Sequence, residues 1–280
     1  MVSNRCGKTL AEIAFWAVLI GVVTVSFFPA VWLLLTSLKE GKELFQYPIT
    51  YLPKTISFQN YIDVFQKNPF GIYMANSVVV TAISTAIVVL VSTMAAYALC
   101  RLNLPFREWI LGGILVFSML PLVSIILSIF LVTRELGWLN TYQGLIGPYV
   151  TFQLPLAIFI LNNFFAQIPR ELEEAAFIDG ATPQETLMKI VAPLSAPGMV
   201  SAAILVAIMN WNDFIIAAAL TTNQEMRTIP VGIVLYPGEF AFPWGTISAA
   251  STLAVLPITF FILFAQKWII RGLTAGSIKG

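Results

Sequence analysis

The stretch IYMANSVVVTAISTAIVVLVSTMAAYA, residues 72–98, lies between Lys67 and Arg101 and contains no charged side chain. A charge near the middle of a bilayer costs several kcal/mol, and a helix of about 20 apolar residues crosses the hydrocarbon layer. The stretch meets both conditions. We therefore predict that it forms a membrane-spanning helix.

Five more spans are predicted along the chain. They lie in the runs 13–38, 109–133, 136–169, 197 to about 220, and 240–266. The run that begins at 197 is the weakest, because Asp213 interrupts it. Strands of an outer-membrane barrel would form alternating segments of about 10 residues, which these long runs do not resemble. The sequence thus predicts an all-α integral membrane protein with six transmembrane helices. Kinks are expected at Pro29, Pro121 and Pro155, because proline removes a helix hydrogen bond.

The composition of the whole chain indicates the same environment. Of its 280 residues, 58% are hydrophobic and 10% are charged, and the mean hydropathy is +0.86. Soluble proteins carry about 25% charged residues, so this chain lacks the polar surface for a water-exposed globule. A net charge of +1 gives no field that would attract nucleic acid. Membrane lipid, and not nucleic acid, is the predicted surrounding.

The sequence lacks the residues of most catalytic and metal sites. It contains no histidine, which removes Ser–His and Cys–His pairs and imidazole metal ligands. Cys6 and Cys100 have no metal-ligand spacing. No segment fits the phosphate-binding pattern G-x-x-x-x-G-K-[ST]. We predict that the chain is not an enzyme, that it binds no metal or cofactor itself, and that ATP-driven work needs a partner.

Orientation in the membrane follows weakly from the basic residues. Six crossings place both termini on one side. If that side is the cytoplasm, nine of the 15 lysines and arginines lie inside and six outside. Because basic residues concentrate on the cytoplasmic side, this count favours cytoplasmic termini without deciding the question.

Residues 170–193, RELEEAAFIDGATPQETLMKIVAP, separate the fourth and fifth predicted spans. The acidic residues at the start suit the N-terminus of a helix, and Gly180 suits a left-handed helix end. A second helix is predicted to begin at Thr182, with Pro183 in its first turn and Glu185 completing a capping box. Pro193 is expected to break or kink the chain before the fifth span.

Two interpretations of this helix–turn–helix are open from the residues alone. It can fit into a groove on a soluble partner, or it can lie on the lipid surface as an amphipathic elbow. Interfacial helices favour Lys and Arg on their polar face, whereas the segment 170–193 has five acidic and two basic residues. The composition therefore disfavours the lipid interpretation.

The segment resembles the hallmark of the permease subunits of type I ATP-binding-cassette importers. That hallmark is EAA, three residues, Gly, nine residues and then I-x-L-P. The matching residues are Glu174, Ala175, Ala176, Gly180, Ile190 and Pro193. Ala192 stands where leucine is usual, which is a mild departure.

Other segments extend the resemblance over essentially the whole chain. Those similar to the carbohydrate branch of the family are Asp179-Gly180-Ala181, Tyr97-Ala98 before Arg101, and Trp211-Asn212-Asp213-Phe214. The tail is similar to that of the smaller permease subunit of maltose-type transporters. It reads Gly272-Leu273-Thr274-Ala275-Gly276 and ends in Lys279-Gly280.

The resemblance implies a coupling helix, within residues 170–193, that docks in a cleft of a cytosolic ATPase subunit. The residues implied to take part are Glu174, Ala175, Ala176, Asp179, Gly180, Ala181, Ile190 and Pro193. It also implies cytoplasmic termini and a tail contact to the ATPase through Gly276, Lys279 and Gly280. A frayed terminus is the alternative for the tail.

The implied organisation has three parts. Residues 1–71 hold the first helix and the first external loop, residues 72–266 the transmembrane domain with its other five helices, and residues 267–280 the cytosolic tail. The external loop 223–244 is implied to meet a sugar-binding protein.

Asn210, Asn212 and Asp213 form a polar cluster within the fifth span. Polar groups at membrane depth usually face a cavity or a partner helix. Amides and carboxylates hydrogen-bond hydroxyls, so these residues are candidates for a sugar translocation path or an outer gate. A helix-ending or inter-helix structural role is the alternative.

Together these features predict a non-catalytic permease subunit of an ATP-driven importer for a small sugar, oligosaccharide, glycoside or polyol. It would reside in a bacterial-type inner membrane. Its expected partners are a second homologous permease, two ATPase subunits that hold the ATP and Mg²⁺, and an extracytoplasmic solute-binding protein. The alternative is a secondary transporter driven by an ion gradient, which predicts buried carboxylates or inverted repeats.

Overall fold

Helices are the regular secondary structure in the ranges that the structure describes. The structure is a computed structural model covering residues 3–236 and 242–274, with side chains for residues 12–236 and 242–266. No β-strand occurs in those ranges. The helices are α1 Ser3–Ser37, α2 Gln59–Gln66, α3 Phe70–Arg101, α4 Arg107–Ser118, α5 Leu122–Glu135, α6 Tyr142–Ala166, α7 Arg170–Ile178, α8 Pro183–Thr186, α9 Ala192–Leu194, α10 Ala196–Asn212, α11 Ile215–Leu220, α12 Ile229–Val234 and α13 Trp244–Thr274. A π-helical turn, Leu187–Val191, joins α8 to α9.

Four helical segments are long and apolar enough to cross a membrane alone. They are Glu12–Ser37, Phe70–Arg101, Tyr142–Ala166 and Trp244–Gln266. Two further pairs pass the same test as bent units, namely Arg107–Ser118 with Leu122–Glu135 and Pro183–Leu194 with Ala196–Asn212. When each bent pair counts as one span, the number of spans is six, which agrees with the sequence prediction, although that prediction assigns residues 183–193 to the segment before the fifth span.

The third predicted span is not one continuous helix. Its two halves, α4 and α5, meet at an angle of 93°. The break falls just before Pro121, whose backbone is extended and which precedes the first residue of α5. Proline cannot donate the hydrogen bond that would continue α4, so the expected kink is a full break. At Pro29 and Pro155 the helices α1 and α6 continue through the proline.

The fifth predicted span is also interrupted. A bend of 78° separates α9 from α10 at Ser195, close to the expected break at Pro193. At its other end α10 stops at Asn212, because the backbone of Asp213 is extended. The next helix, α11, begins at Ile215. The sequence-based expectation of one helix to about residue 220 is corrected accordingly.

Within the described residues the chain divides into two compact units, one formed by residues 3–68 with 235–236 and 242–255 and the other by 69–234 with 256–274. In the first unit the loop after α1 is held by hydrogen bonds. Glu43 is buried and accepts from Thr50 Oγ1 at 2.7 Å and from the Lys54 amide at 3.0 Å. The Thr50 hydrogen bond is the main cause of the lowered pKa of Glu43. Lys39 Nζ donates to the Thr50 carbonyl.

The core of the second unit lies where α3 packs against α6 and α10. Small residues of α3, including Ser84, Ser92 and Ala96, are buried there. On α10 the contact is so close that a Cβ atom at Gly198 would overlap the Phe164 ring. Small residues permit such close helix approach in membranes. This packing positions the segment 170–193 against the end of α3.

Candidate coupling site

The segment after α6 forms two short helices around a tight turn, as the sequence predicts. Helix α7 ends because Gly180 adopts a left-handed φ of +85°. The Asp179 amide donates to the Ala175 carbonyl at 3.0 Å, and the Ala181 amide to the Ala176 carbonyl at 2.9 Å. These bonds satisfy carbonyls at the end of α7.

The predicted capping box at the start of α8 is present. The Glu185 amide donates to Thr182 Oγ1 at 3.3 Å, and the Thr182 amide donates back to Glu185 Oε2 at 3.0 Å. The Thr182 amide is the largest cause of the lowered pKa of Glu185, which falls to about 2. Lys189 adds an exposed ion pair with Glu185 at 3.0 Å. The turn is therefore defined by its own local hydrogen bonds.

One side of this segment faces away from the rest of the chain. Glu174, Ala175, Asp179 and Gly180 are exposed, as is Pro193 further along. Ala176 is buried, while Ala181 and Ile190 are half-buried. Apolar side chains also reach solvent here, most of all Ile178 at 87% exposure. Leu172, Phe177 and Met188 are exposed as well, and a patch of exposed apolar side chains is typical of an interaction surface.

The opposite side of α7 is fixed by a buried ion pair. Arg101 Nε, at the end of α3, lies 2.6 Å from Glu173 Oε1, and the two side chains are only 7% and 5% exposed. Tyr97 Oη donates to Glu173 Oε2 at 3.2 Å. Because a buried charge is costly without partners, this geometry holds α7 in one position against α3.

Arg101 also binds the end of α6. Its Nη2 atom donates to the carbonyl of Phe165 at 2.7 Å and to that of Ile168 at 2.6 Å. Phe165 lies in the last turn of α6, where its carbonyl also accepts from the Ile168 amide at 3.1 Å, and Ile168 lies just beyond the end of that helix. One guanidinium thus connects α3, α6 and α7.

Sequence reasoning did not single out Glu173 for this role. The signal was present, because Glu173 and Ala176 are spaced three apart and share the buried face of α7. Tyr97 and Arg101 are likewise spaced four apart on α3. What the sequence alone could not supply was the pairing between two helices far apart in the chain.

The three residues of the polar cluster in the fifth span lie in three different environments. Asn210 is buried, and its Nδ2 donates to Ser84 Oγ of α3 at 2.9 Å. Asp213 Oδ1 accepts from Tyr149 Oη at 3.0 Å and from the Ile216 and Ala217 amides at 3.1 and 3.2 Å. Asn212 is exposed, and its Nδ2 donates to the Ile208 carbonyl at 2.7 Å.

A groove of about 590 Å³ runs along α3, α10 and the second half of α13. Thr81 and Thr85 of α3 and Trp211 of α10 are among its lining residues, which are otherwise mostly apolar. In the part of the chain with described side chains, no group of three or more Asp, Glu, Cys or His is arranged to hold a metal ion. The predicted tail contacts Gly276, Lys279 and Gly280 lie outside the described residues.

Comparison with known proteins identifies the family. Residues 88–275 match the family described as the inner membrane component of binding-protein-dependent transport systems. The chain belongs to this family. The predicted resemblance is thereby confirmed, and this permease is a non-catalytic transport subunit and a multi-pass membrane protein.

Relatives of the permease match it over almost its full length. It is 43% identical to the sulfoquinovosyl glycerol transport system permease protein SmoH of Agrobacterium fabrum, over 98% of this chain and 95% of the relative. It is 40% identical to the trehalose transport system permease protein SugB of Mycobacterium tuberculosis, over 95% and 97%. It is 39% identical to the trehalose/maltose transport system permease protein MalG of Thermococcus litoralis, over 94% and 95%.

A solved structure confirms the fold. A chain of a bacterial ATP-binding-cassette transporter that imports alginate superposes on this permease with a TM-score of 0.78, at 23% identity, over 91% of this chain and 95% of that one. The predicted fold class, an all-α importer permease with a helical segment between the fourth and fifth spans, is confirmed.

Proposed function

We propose that this permease is one of two membrane subunits of an ATP-driven importer for a small sugar, oligosaccharide, glycoside or polyol. The named relatives move sulfoquinovosyl glycerol, trehalose and maltose, and all are sugars or sugar derivatives. The family membership supports a system that depends on a separate binding protein. The single structural observation that carries the proposal is the coupling segment 170–193, exposed on one side and anchored on the other.

In this proposal ATP binding closes a pair of cytosolic ATPase subunits, and the closing subunit moves the docked segment. The docking residues are Glu174, Ala175, Ala176, Asp179, Gly180, Ala181, Ile190 and Pro193. A moving ATPase subunit can displace the membrane spans only if the segment 170–193 keeps a fixed position relative to them. The Arg101–Glu173 ion pair supports that requirement, because its two buried side chains join α7 to α3.

Gly180 has a specific part in docking. Its left-handed φ of +85° favours glycine over any residue with a Cβ. No atom of the described chain lies within 4 Å of where a Cβ would be. A side chain at this position would therefore project outward, toward the proposed ATPase cleft, and not into the permease.

The complete assembly in this proposal contains a second homologous permease, two ATPase subunits and a solute-binding protein. ATP and Mg²⁺ are bound by the ATPase subunits. The termini are cytoplasmic and the protein resides in the inner membrane, which agrees with the positive-inside count. The tail residues Gly276, Lys279 and Gly280 are proposed as a second ATPase contact on the family resemblance alone.

For the polar cluster we propose two roles. The hydrogen bonds of Asn210 and Asp213 support a positioning role, in which they join α10 to α3 and α6 and turn the chain into α11. Asn212 is exposed, so it is the member of the cluster best able to reach a passing sugar or to form part of an outer gate.

The test is purification of the tagged full-length permease from its native membrane in mild detergent, with mass spectrometry of the proteins that accompany it. We expect an ATP-binding-cassette ATPase, a second permease and a solute-binding protein. Ala175→Arg and Ile178→Glu alter exposed positions and should greatly reduce ATPase recovery while the second permease is retained. Gln224→Arg, an exposed change far along the chain, serves as the matched control.

Two results would contradict the proposal. One is unchanged ATPase recovery with both coupling variants, which would remove the docking role. The other is purification of the chain alone, with sugar uptake that follows an ion gradient, which would favour the secondary-transporter alternative.

A further inference from the structure

A polar cavity lies beside the coupling site, where α3 ends and α4 and α7 begin. Its volume is about 350 Å³, and its lining includes Arg101, Asn103, Arg107 and Arg170. Three arginines around one cavity are unusual in a chain with only 10% charged residues. We refer to this space as the arginine cavity.

Two of the three guanidinium groups lack a counter-charge. Arg101 is neutralised by Glu173, as described above. Neither Arg107 nor Arg170 forms an ion pair within the described side chains. Arg107 Nε is buried and has no hydrogen-bond partner there. A buried donor without a partner is destabilising, so a ligand that accepts from it would be stabilising.

The neighbouring backbone favours negative charge as well. Arg107 and Arg170 are the first residues of α4 and α7. Helix N-termini present free amides and the positive end of the helix dipole. The acidic residues next in sequence, Glu108 and Glu171, are exposed and do not line the cavity. The guanidinium groups and the helix N-termini therefore both favour a negatively charged ligand in the cavity.

We propose that the arginine cavity binds a phosphate group. In the orientation of the proposed function the cavity lies at the cytoplasmic leaflet, where basic pockets between helices bind anionic lipid headgroups. The phosphate comes either from such a headgroup or from free phosphate, and both present oxygens that match guanidinium geometry. The bound group would join α4 to α7 next to the Arg101–Glu173 pair.

Native mass spectrometry of the full-length permease tests the lipid source. The probe is mixed micelles containing either phosphatidylglycerol or phosphatidylcholine. We expect selective retention of phosphatidylglycerol by the unmodified chain, and about fivefold weaker binding for each of Arg107→Gln and Arg170→Gln, since a basic residue near the surface contributes about 1 kcal/mol. Arg134→Gln, an exposed arginine at the end of α5, is the matched control.

Inorganic phosphate is the second probe, with thermal unfolding in a neutral detergent as the measurement. If phosphate raises the unfolding temperature of the unmodified chain but not of Arg107→Gln, while phosphatidylglycerol is not retained, the source is soluble phosphate. The double variant Arg107→Lys, Arg170→Lys keeps both positive charges and should keep most of the phosphate binding. It therefore separates the loss of a charge that binds phosphate from a folding defect caused by substitution at these positions.

The proposal is overturned if neither probe distinguishes Arg107→Gln and Arg170→Gln from Arg134→Gln. These measurements need no transport and no ATPase. A failure here would leave the proposed import function standing, and a failure of ATPase recovery would leave the phosphate site standing.

Discussion

Replacing Arg101 by methionine should release α7 from the transmembrane helices. The change keeps an apolar stem in the core but removes the guanidinium, and so leaves Glu173 buried with only the Tyr97 hydroxyl. Breaking a buried ion pair from one side costs about 3–5 kcal/mol. The pair qualifies as buried, since its side chains are 7% and 5% exposed. The amides of α7 should then exchange with solvent about 100-fold faster or more.

The assay is hydrogen–deuterium exchange of residues 170–178 in the purified full-length chain. Arg101→Met and Glu173→Leu should each give the large loss of protection. The double variant removes both charges, and replacing a whole buried pair by apolar groups is often close to neutral. The loss of stability of α7 in the double variant should therefore be smaller than the sum of the losses in the two single variants, by about 2 kcal/mol or more.

Lys189→Met provides the matched control in the same segment. The Lys189–Glu185 pair has a similar length, 3.0 Å, but its side chains are 72% and 45% exposed. Exposed pairs contribute about 0–1 kcal/mol, so this change should alter protection little. Equal effects of Arg101→Met and Lys189→Met, or additive effects in the Arg101–Glu173 double variant, would refute the anchoring role.

Two further predictions concern the turn at Asp213 and the capping box. Asp213→Asn keeps the Oδ1 atom that accepts from Tyr149 and from two amides of α11, so sugar uptake by the assembled complex in proteoliposomes should stay near normal. Asp213→Ala loses these bonds and should reduce uptake; equal uptake by the two variants would contradict the positioning role. The pKa of Glu185 is lowered from 4.5 to about 2, so its stabilisation of α8 is full above pH 4.5 and is lost as the pH falls toward 2. Hydrogen exchange of residues 182–190, corrected for the intrinsic pH effect, should show this loss, and Glu185→Gln should abolish its pH dependence.

Local patterns predicted much of this molecule. Charge-free runs locate the spans because a charged side chain near the middle of a bilayer is costly in almost any helix. The α7–turn–α8 segment was predictable for a similar reason. Gly180, Thr182 and Glu185 act within one or two helical turns, so neighbouring residues are sufficient to determine the geometry.

The features that were not predicted depend on distant residues. The 93° break before Pro121 is an exception, because the sequence predicted a kink there from the proline alone and did not give its size. The end of α10 depends on Asp213, whose partner Tyr149 is 64 positions away in the chain. The role of Glu173 depends likewise on the packing of α3 beside α6. Residue type can suggest such groups, but only the fold determines which of them meet.

The guanidinium of Arg101 has a mechanical consequence. It fastens α7 to two long helices at the same end, α3 with 32 residues and α6 with 25. Each helix can then tilt about its end at the coupling segment. At about 1.5 Å per residue α3 is about 48 Å long, so a tilt of about 5° around Arg101 displaces its far end by about 4 Å. In the proposed mechanism, a small displacement of the segment 170–193 would therefore give a larger displacement at the far end of α3, without any helix having to unwind.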